Sequence, residues 1–243
     1  MLREQISFLS TLPVKEGRIE EIARGFWLFP VVGLIIGSLV YVACLLSFKV
    51  FPENIASLVT LTSLYLITGL IHLDGLADFS DGLMANGDVN RKIAAMKDVK
   101  VGISGTFFLL IILLFNLYSI REICSTETGL MLGFFAAIVI SEVSAKLGMC
   151  TILVSGEGIG SGIGSTFIDN VSKKMYPIAV VISIILAILV SDYHMFLTVF
   201  AGACTSFLIL YLADKSFGGI NGDVIGATNE IARTVTLILW VVL

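Results

Sequence analysis

The chain has 243 residues, 57% of them apolar and only 14% charged, with a formal net charge of −4 and a mean hydropathy of +0.99. These values lie outside the range of ordinary soluble domains and describe an integral membrane protein. A nucleic-acid partner is excluded because no basic stripe with interleaved aromatics is present. Cys44, Cys124, Cys150 and Cys204 show no CxxC spacing and read as packing residues.

In chain order, Ile6, Phe8, Leu9 and Leu12 precede Pro13 in a short amphipathic stretch, so residues 1–25 are expected to lie along a membrane interface. Nothing early has the length and cleavage site of a signal peptide, and the N-terminus is expected to be retained. Apolar runs then cover Phe26 to Ser47, Ile55 to His72, Gly105 to Ile120, Leu130 to Leu153, Tyr176 to Val190 and Met195 to Leu212. The C-terminal apolar stretch is short, but a helix begun near Gly222 reaches roughly 33 Å at the helical rise per residue. The prediction is an all-α, polytopic helical bundle of about seven transmembrane helices, in one membrane domain over residues 1–243. Arg3, Lys15, Arg18, Arg24, Arg91, Lys92, Lys97, Lys100, Lys173, Lys174 and Lys215 fall on one side of that topology, against Lys49 and Arg121 on the other. The N-terminus is therefore expected in the cytoplasm.

Directly after the second run, His72-Leu73-Asp74-Gly75-Leu76-Ala77-Asp78-Phe79-Ser80-Asp81-Gly82 spaces three carboxylates four and three residues apart. On a helix, Asp74, Asp78 and Asp81 share an arc of roughly 60°. Their charges repel unless a cation compensates them, and Mg2+ takes oxygen ligands of this kind while bridging to substrate phosphates. His72 points away from that arc and reads equally as a satisfied interfacial histidine or as a base. Residues 74–104 are expected to form a long cytoplasmic, aspartate-rich loop, and long loops are often functional. Within it, Lys97 and Lys100 suit phosphate and Asp98 suits a further place at the metal.

Glu142 and Lys146, four apart in the fourth run, read as a structural ion pair. The glycine-rich stretch Gly156 to Gly164 offers either flexibility or backbone amides for phosphate, without a Walker pattern. His194 sits in an outer turn with no evident role. Asp223 and Glu230 lie seven apart on one helical face and suggest a second acidic patch. Polar residues scarcely continue into the predicted spans, so the chemistry is expected on the cytoplasmic side alone. That distribution argues for an enzyme over a membrane cation transporter. Carboxylates, lysines and glycine-rich turns at a membrane surface suit phosphoryl-group transfer, with an aspartate taking the proton of an attacking hydroxyl.

Several ordered motifs carry a family resemblance: Phe8-Leu9-Ser10-Thr11-Leu12-Pro13-Val14, Phe29-Pro30-Val31-Val32-Gly33, His72-Leu73-Asp74-Gly75-Leu76-Ala77-Asp78 through Asp81-Gly82, Met96-Lys97-Asp98 through Gly102, and Gly218-Gly219 through Gly222-Asp223. The chain resembles the cobalamin synthases, or adenosylcobinamide-GDP ribazoletransferases, over nearly its whole length. The resemblance implies a Mg2+-dependent membrane enzyme that joins adenosylcobinamide-GDP to α-ribazole or its 5′-phosphate and releases GMP. Asp74, Asp78 and Asp81 would be metal ligands, with Asp98 a further catalytic acid. Lys97, Lys100, Gly102, Asn221, Gly222 and Asp223 would hold phosphate or nucleotide, and the bilayer could gather other cobalamin-pathway enzymes. CDP-alcohol phosphotransferases are similar in chemistry, but the Ala-Arg pair of their aspartate motif is absent here. Thr11 stands where the cobalamin synthases commonly have arginine, and Ile103-Ser104 also departs from their pattern.

Overall fold

The structure is a computed structural model that describes residues 1–15, 17–126, 131–160, 163–191 and 195–243. His194, and Ser161 and Gly162 of the glycine-rich stretch, lie outside the described residues. Hydrocarbon offers no water to backbone amides, and the apolar runs accordingly close their hydrogen bonds within helices. The helices are α1 (Leu2–Leu9), α2 (Ile19–Arg24), α3 (Phe29–Val50), α4 (Glu53–Thr68), α5 (Ile71–Met84), α6 (Val89–Met96), α7 (Ile103–Thr126), α8 (Met131–Ser155), α9 (Ile163–Asp169), α10 (Tyr176–Val190), α11 (Ala201–Phe217) and α12 (Gly222–Val242). Six segments, built on α3, α7, α8, α10, α11 and α12, are long and apolar enough to cross a membrane. A seventh requires α4, which is joined to α5 across a 92° bend. The expected all-helical membrane bundle is what the chain forms.

At the centre, α8 packs against α3, α10, α11 and α12 and is almost wholly buried. Small residues let these helices approach, as is usual where no aqueous hydrophobic effect drives them together. Gly33 and Gly37 of α3 lie against the α8 backbone at Glu142 and Val139, and the Gly202 amide of α11 donates to Ser144 Oγ at 2.8 Å.

Between α4 and α5 the chain turns at Gly69, with φ 72° and ψ 175°, a combination that side chains with a Cβ avoid. Thr11 closes this break from the N-terminal segment. Its amide donates to the Ile67 carbonyl at 2.8 Å and its hydroxyl to that of Leu66 at 2.7 Å. The stretch 74–104, expected as a loop, is corrected by the structure: most of it is α5 and α6. The polar positions of α5 hid a buried apolar edge formed by Leu76, Ala77 and Phe79.

Candidate active site at one end of the bundle

The cluster is assembled where α5 crosses the start of α12. Gly75 and Gly226 permit the contact: a Cβ on Gly75 would stand 3.0 Å from the Asp223 carbonyl oxygen, and one on Gly226 3.3 Å from the His72 backbone. Burying the His72, Gly75, Leu76 and Phe79 face of α5 leaves Asp74 exposed and Asp78 and Asp81 half-buried. Across from them, Asn221 caps α12, its Oδ1 accepting from the Val224 amide at 3.0 Å while its Nδ2 donates to Asp223 Oδ2 at 2.8 Å. The turn before it is pinned to the glycine-rich loop, because the Ile159 amide donates to the Ile220 carbonyl at 2.9 Å and the Ile220 amide to that of Glu157 at 2.8 Å. Gly219, at φ 154°, has no room for a Cβ against the Glu157 carbonyl.

Charge is concentrated here. Asp78, on the polar helix α5 outside the six long apolar segments, has its carboxyl pushed up to about 6 by burial and by the charges of Asp223, Asp74 and Asp81. Asp223 feels the charge of Asp74 and, in opposition, that of Lys97. Lys97 follows α6, and its Nζ lies 3.6 Å from where a Cβ on Gly160 would be. Acidic and basic groups from α5, from the end of α6 and from the start of α12 therefore meet at one end of the bundle, beside the glycine-rich loop.

Other predicted site residues are placed differently. Both carboxylate oxygens of Asp81 are engaged, accepting from the Gly102 amide at 2.6 Å and the Gly105 amide at 2.9 Å at the start of α7. Asp81 thus docks one helix on the N-terminus of another, where its negative charge is favourable; Gly102 serves as its partner. Asp98 is exposed, accepts from the Lys100 amide at 3.1 Å and is not among the charges acting on Asp78. Lys100 is exposed on the same turn. Among the described residues, no group of three or more His, Cys, Asp or Glu side chains is arranged to hold a metal ion unaided. His72 is not the satisfied interfacial residue that one reading expected: it is buried, and its Nδ1 has no hydrogen-bond partner among the described residues.

Deeper in the bundle lies a network that the sequence did not announce. Arg233 bridges Glu142 and Glu230, the latter at 2.6 Å, and Lys146 sits 3.5 Å from Glu142 and 2.7 Å from Asn229 Oδ1. Tyr65 donates to Glu230 at 3.0 Å and receives from Asn116 at 3.3 Å. The expected Glu142–Lys146 pair is present, but the second acidic patch is not: Glu230 is 1% exposed and neutralised by Arg233. Polar residues do continue through the bundle, contrary to expectation. Two acids balance two bases there, so the network carries no net charge and locks α12 to α4, α7 and α8.

Comparison with known proteins places this architecture. The family model described as cobalamin-5-phosphate synthase matches residues 1–241. The chain belongs to the cobalamin-5-phosphate synthase family. Within it, an adenosylcobinamide-GDP ribazoletransferase of Methanocella arvoryzae is 36% identical over 98% of this chain and 96% of its own length. A protein of the same description from Pyrococcus abyssi is also 36% identical, with 98% and 96% covered, and one from Methanococcoides burtonii is 34% identical, with 99% and 91% covered. No solved structure matches. Membership makes the chain a transferase of cobalamin synthesis embedded in a membrane.

Proposed function

We propose that the chain joins adenosylcobinamide-GDP to α-ribazole or its 5′-phosphate, giving adenosylcobalamin or its 5′-phosphate with release of GMP. The ribazole 3′-hydroxyl attacks the phosphorus that bears cobinamide. A P–O bond forms as the bond to the GMP phosphate oxygen breaks, and the hydroxyl proton passes to an aspartate. The observation that carries this reading is the convergence of Asp74, Asp78 and Asp223 beside Lys97 at the capped start of α12. Three carboxylates without a salt-bridge partner among the described residues suit a cation-dependent diphosphate site, and the relatives' names fit substrates of these classes.

Mg2+ fits these residues in one way. One or two carboxylates would hold it beside the substrate phosphates, a common arrangement for this ion. Asp78 with Asp74 or Asp223 would be those ligands, while Asp81, spent on the α7 amides, supports them from behind. Bound there, Mg2+ supplies charge neutralisation of the diphosphate. Lys97 steadies the phosphates and Asn221 fixes the Asp223 carboxylate. The basic-residue bias supports a cell-membrane location with this end of the bundle facing the cytoplasm, where nucleotide substrates are found.

The test is a purified-enzyme reaction with adenosylcobinamide-GDP, α-ribazole and Mg2+, followed by chromatography. GMP and cobalamin in equal amounts are expected. Folded enzyme that forms neither would refute the assignment.

A further inference from the structure

Beside the carboxylates the structure holds a cavity of about 280 Å³ whose character differs from that of the charged cluster. Its solvent-facing lining includes the exposed Asp74 and Gly222 and the half-buried Asp223, beside the exposed Ile71. Its walls are apolar and aromatic: Phe8 from α1, Phe29 from α3 and Phe167 from α9, with Met149 and Leu153 from α8. The three rings form one cluster. Phe8 and Phe167 stack with centroids 5.1 Å apart and planes 13° off parallel, and Phe29 lies 6.2 Å from Phe167. His72 is also in the wall, 6% exposed, with its Nδ1 lacking any hydrogen-bond partner among the described residues. A buried polar atom without a partner is costly and calls for an explanation.

We propose that this cavity seats the planar base of the acceptor, a benzimidazole-type nucleoside, against the phenylalanine wall, with His72 providing the hydrogen bond to the base's free ring nitrogen. The inference rests on the reaction proposed above and adds which substrate part goes where. Size decides first: the cavity lies near the lower end of ligand pockets and admits a bicyclic base but not a corrin ring. Polarity decides next. Guanine carries donors and acceptors along its edge, and walls of Phe, Met and Leu would leave most of them unpaired, whereas a benzimidazole presents mainly carbon and one acceptor nitrogen. Position agrees, since a base held in the cavity leaves its ribose at the mouth beside Asp74 and Asp223, where the reacting hydroxyl is needed. His72 here is a specificity residue for the acceptor.

The test uses the full-length enzyme in detergent or nanodiscs. Equilibrium binding of α-ribazole is measured by calorimetry, and KM is measured separately for α-ribazole and for adenosylcobinamide-GDP. Phe8→Ala removes one ring of the wall, and Ile71→Trp adds bulk to the lining at a position 67% exposed, where folding is least at risk. In both variants the Kd and KM for α-ribazole are expected to rise about tenfold or more, through loss of a stacking partner in the first and obstruction of the cavity in the second, with the donor's KM changed less than about twofold. With wild-type enzyme, a purine riboside is expected to compete about tenfold more weakly than a benzimidazole riboside of similar size.

Unchanged acceptor binding, a rise confined to the donor's KM, or equal competition by the purine riboside would overturn the proposal. The reaction itself fails differently. Wild-type enzyme that bound α-ribazole, with weaker binding in both variants, but formed no product would refute the reaction while supporting the cavity assignment.

Discussion

At the residue scale, environment separates carboxylates that look alike in sequence. Asp81 accepts two amides and holds α7, Glu230 is neutralised by Arg233, and Asp78 faces like charges. Asp78 is therefore the carboxylate whose ionisation should control activity. Its carboxyl sits near 6, so the ionised form predominates above that pH and is lost below it. At limiting Mg2+, GMP release is expected to fall as pH drops through about 6, and saturating Mg2+ should move that fall to lower pH by favouring the ionised form. Arg233→Met makes the opposite kind of prediction. It leaves Glu142 and Glu230 buried beside a single lysine, at a cost of about 3–5 kcal/mol. A large drop in thermal midpoint or folded yield is expected, measured by size-exclusion chromatography in detergent.

At the element scale, the long apolar helices were legible from hydropathy because their period and length are set by the bilayer. The start of α12 at Gly222 was legible too, because aspartate at 223 favours a helix N-terminus; the cap by Asn221 was not read. The aspartates read as one helical face, but 74–104 as a whole reads as a long loop, so the extent of α5 and the whole of α6 escaped. The glycines of that stretch read as a loop until Gly75 and Gly82, like Gly226, are seen to be points of close approach between elements. The bend at Gly69 also escaped, since the apolar run reads straight through it to His72. Gly69→Ala should strain the turn by about 1–3 kcal/mol. Because this turn aims α5 at α12, turnover should fall more than folded yield, as read by parallel activity and melting measurements.

At the scale of the whole molecule, the fold gathers the ends of α4, α8 and α11 and the starts of α7 and α12 around one site. Asp74, Asp78 and Asp223 were visible in sequence as candidates; the phenylalanine wall and the Arg233 network were not. Aromatic and charged residues from separate helices acquire a joint meaning only once packed. The charged network is balanced and locked by hydrogen bonds, which favours scaffold over ion path. The positive-inside bias predicts opposite fates for the termini if α4 spans. An alkaline-phosphatase fusion at Leu243 should be active in a Gram-negative periplasm and one at the N-terminus inactive. Activity at both ends, or at neither, would indicate an even number of crossings.

The most direct measurement is the rate of GMP release from adenosylcobinamide-GDP and α-ribazole across a Mg2+ titration, for wild type and Asp78→Asn side by side. Wild type should show Mg2+-dependent release, with the folded variant slower by about 10²-fold or more at every Mg2+ concentration. A folded Asp78→Asn enzyme with the wild-type rate and Mg2+ dependence would contradict the account.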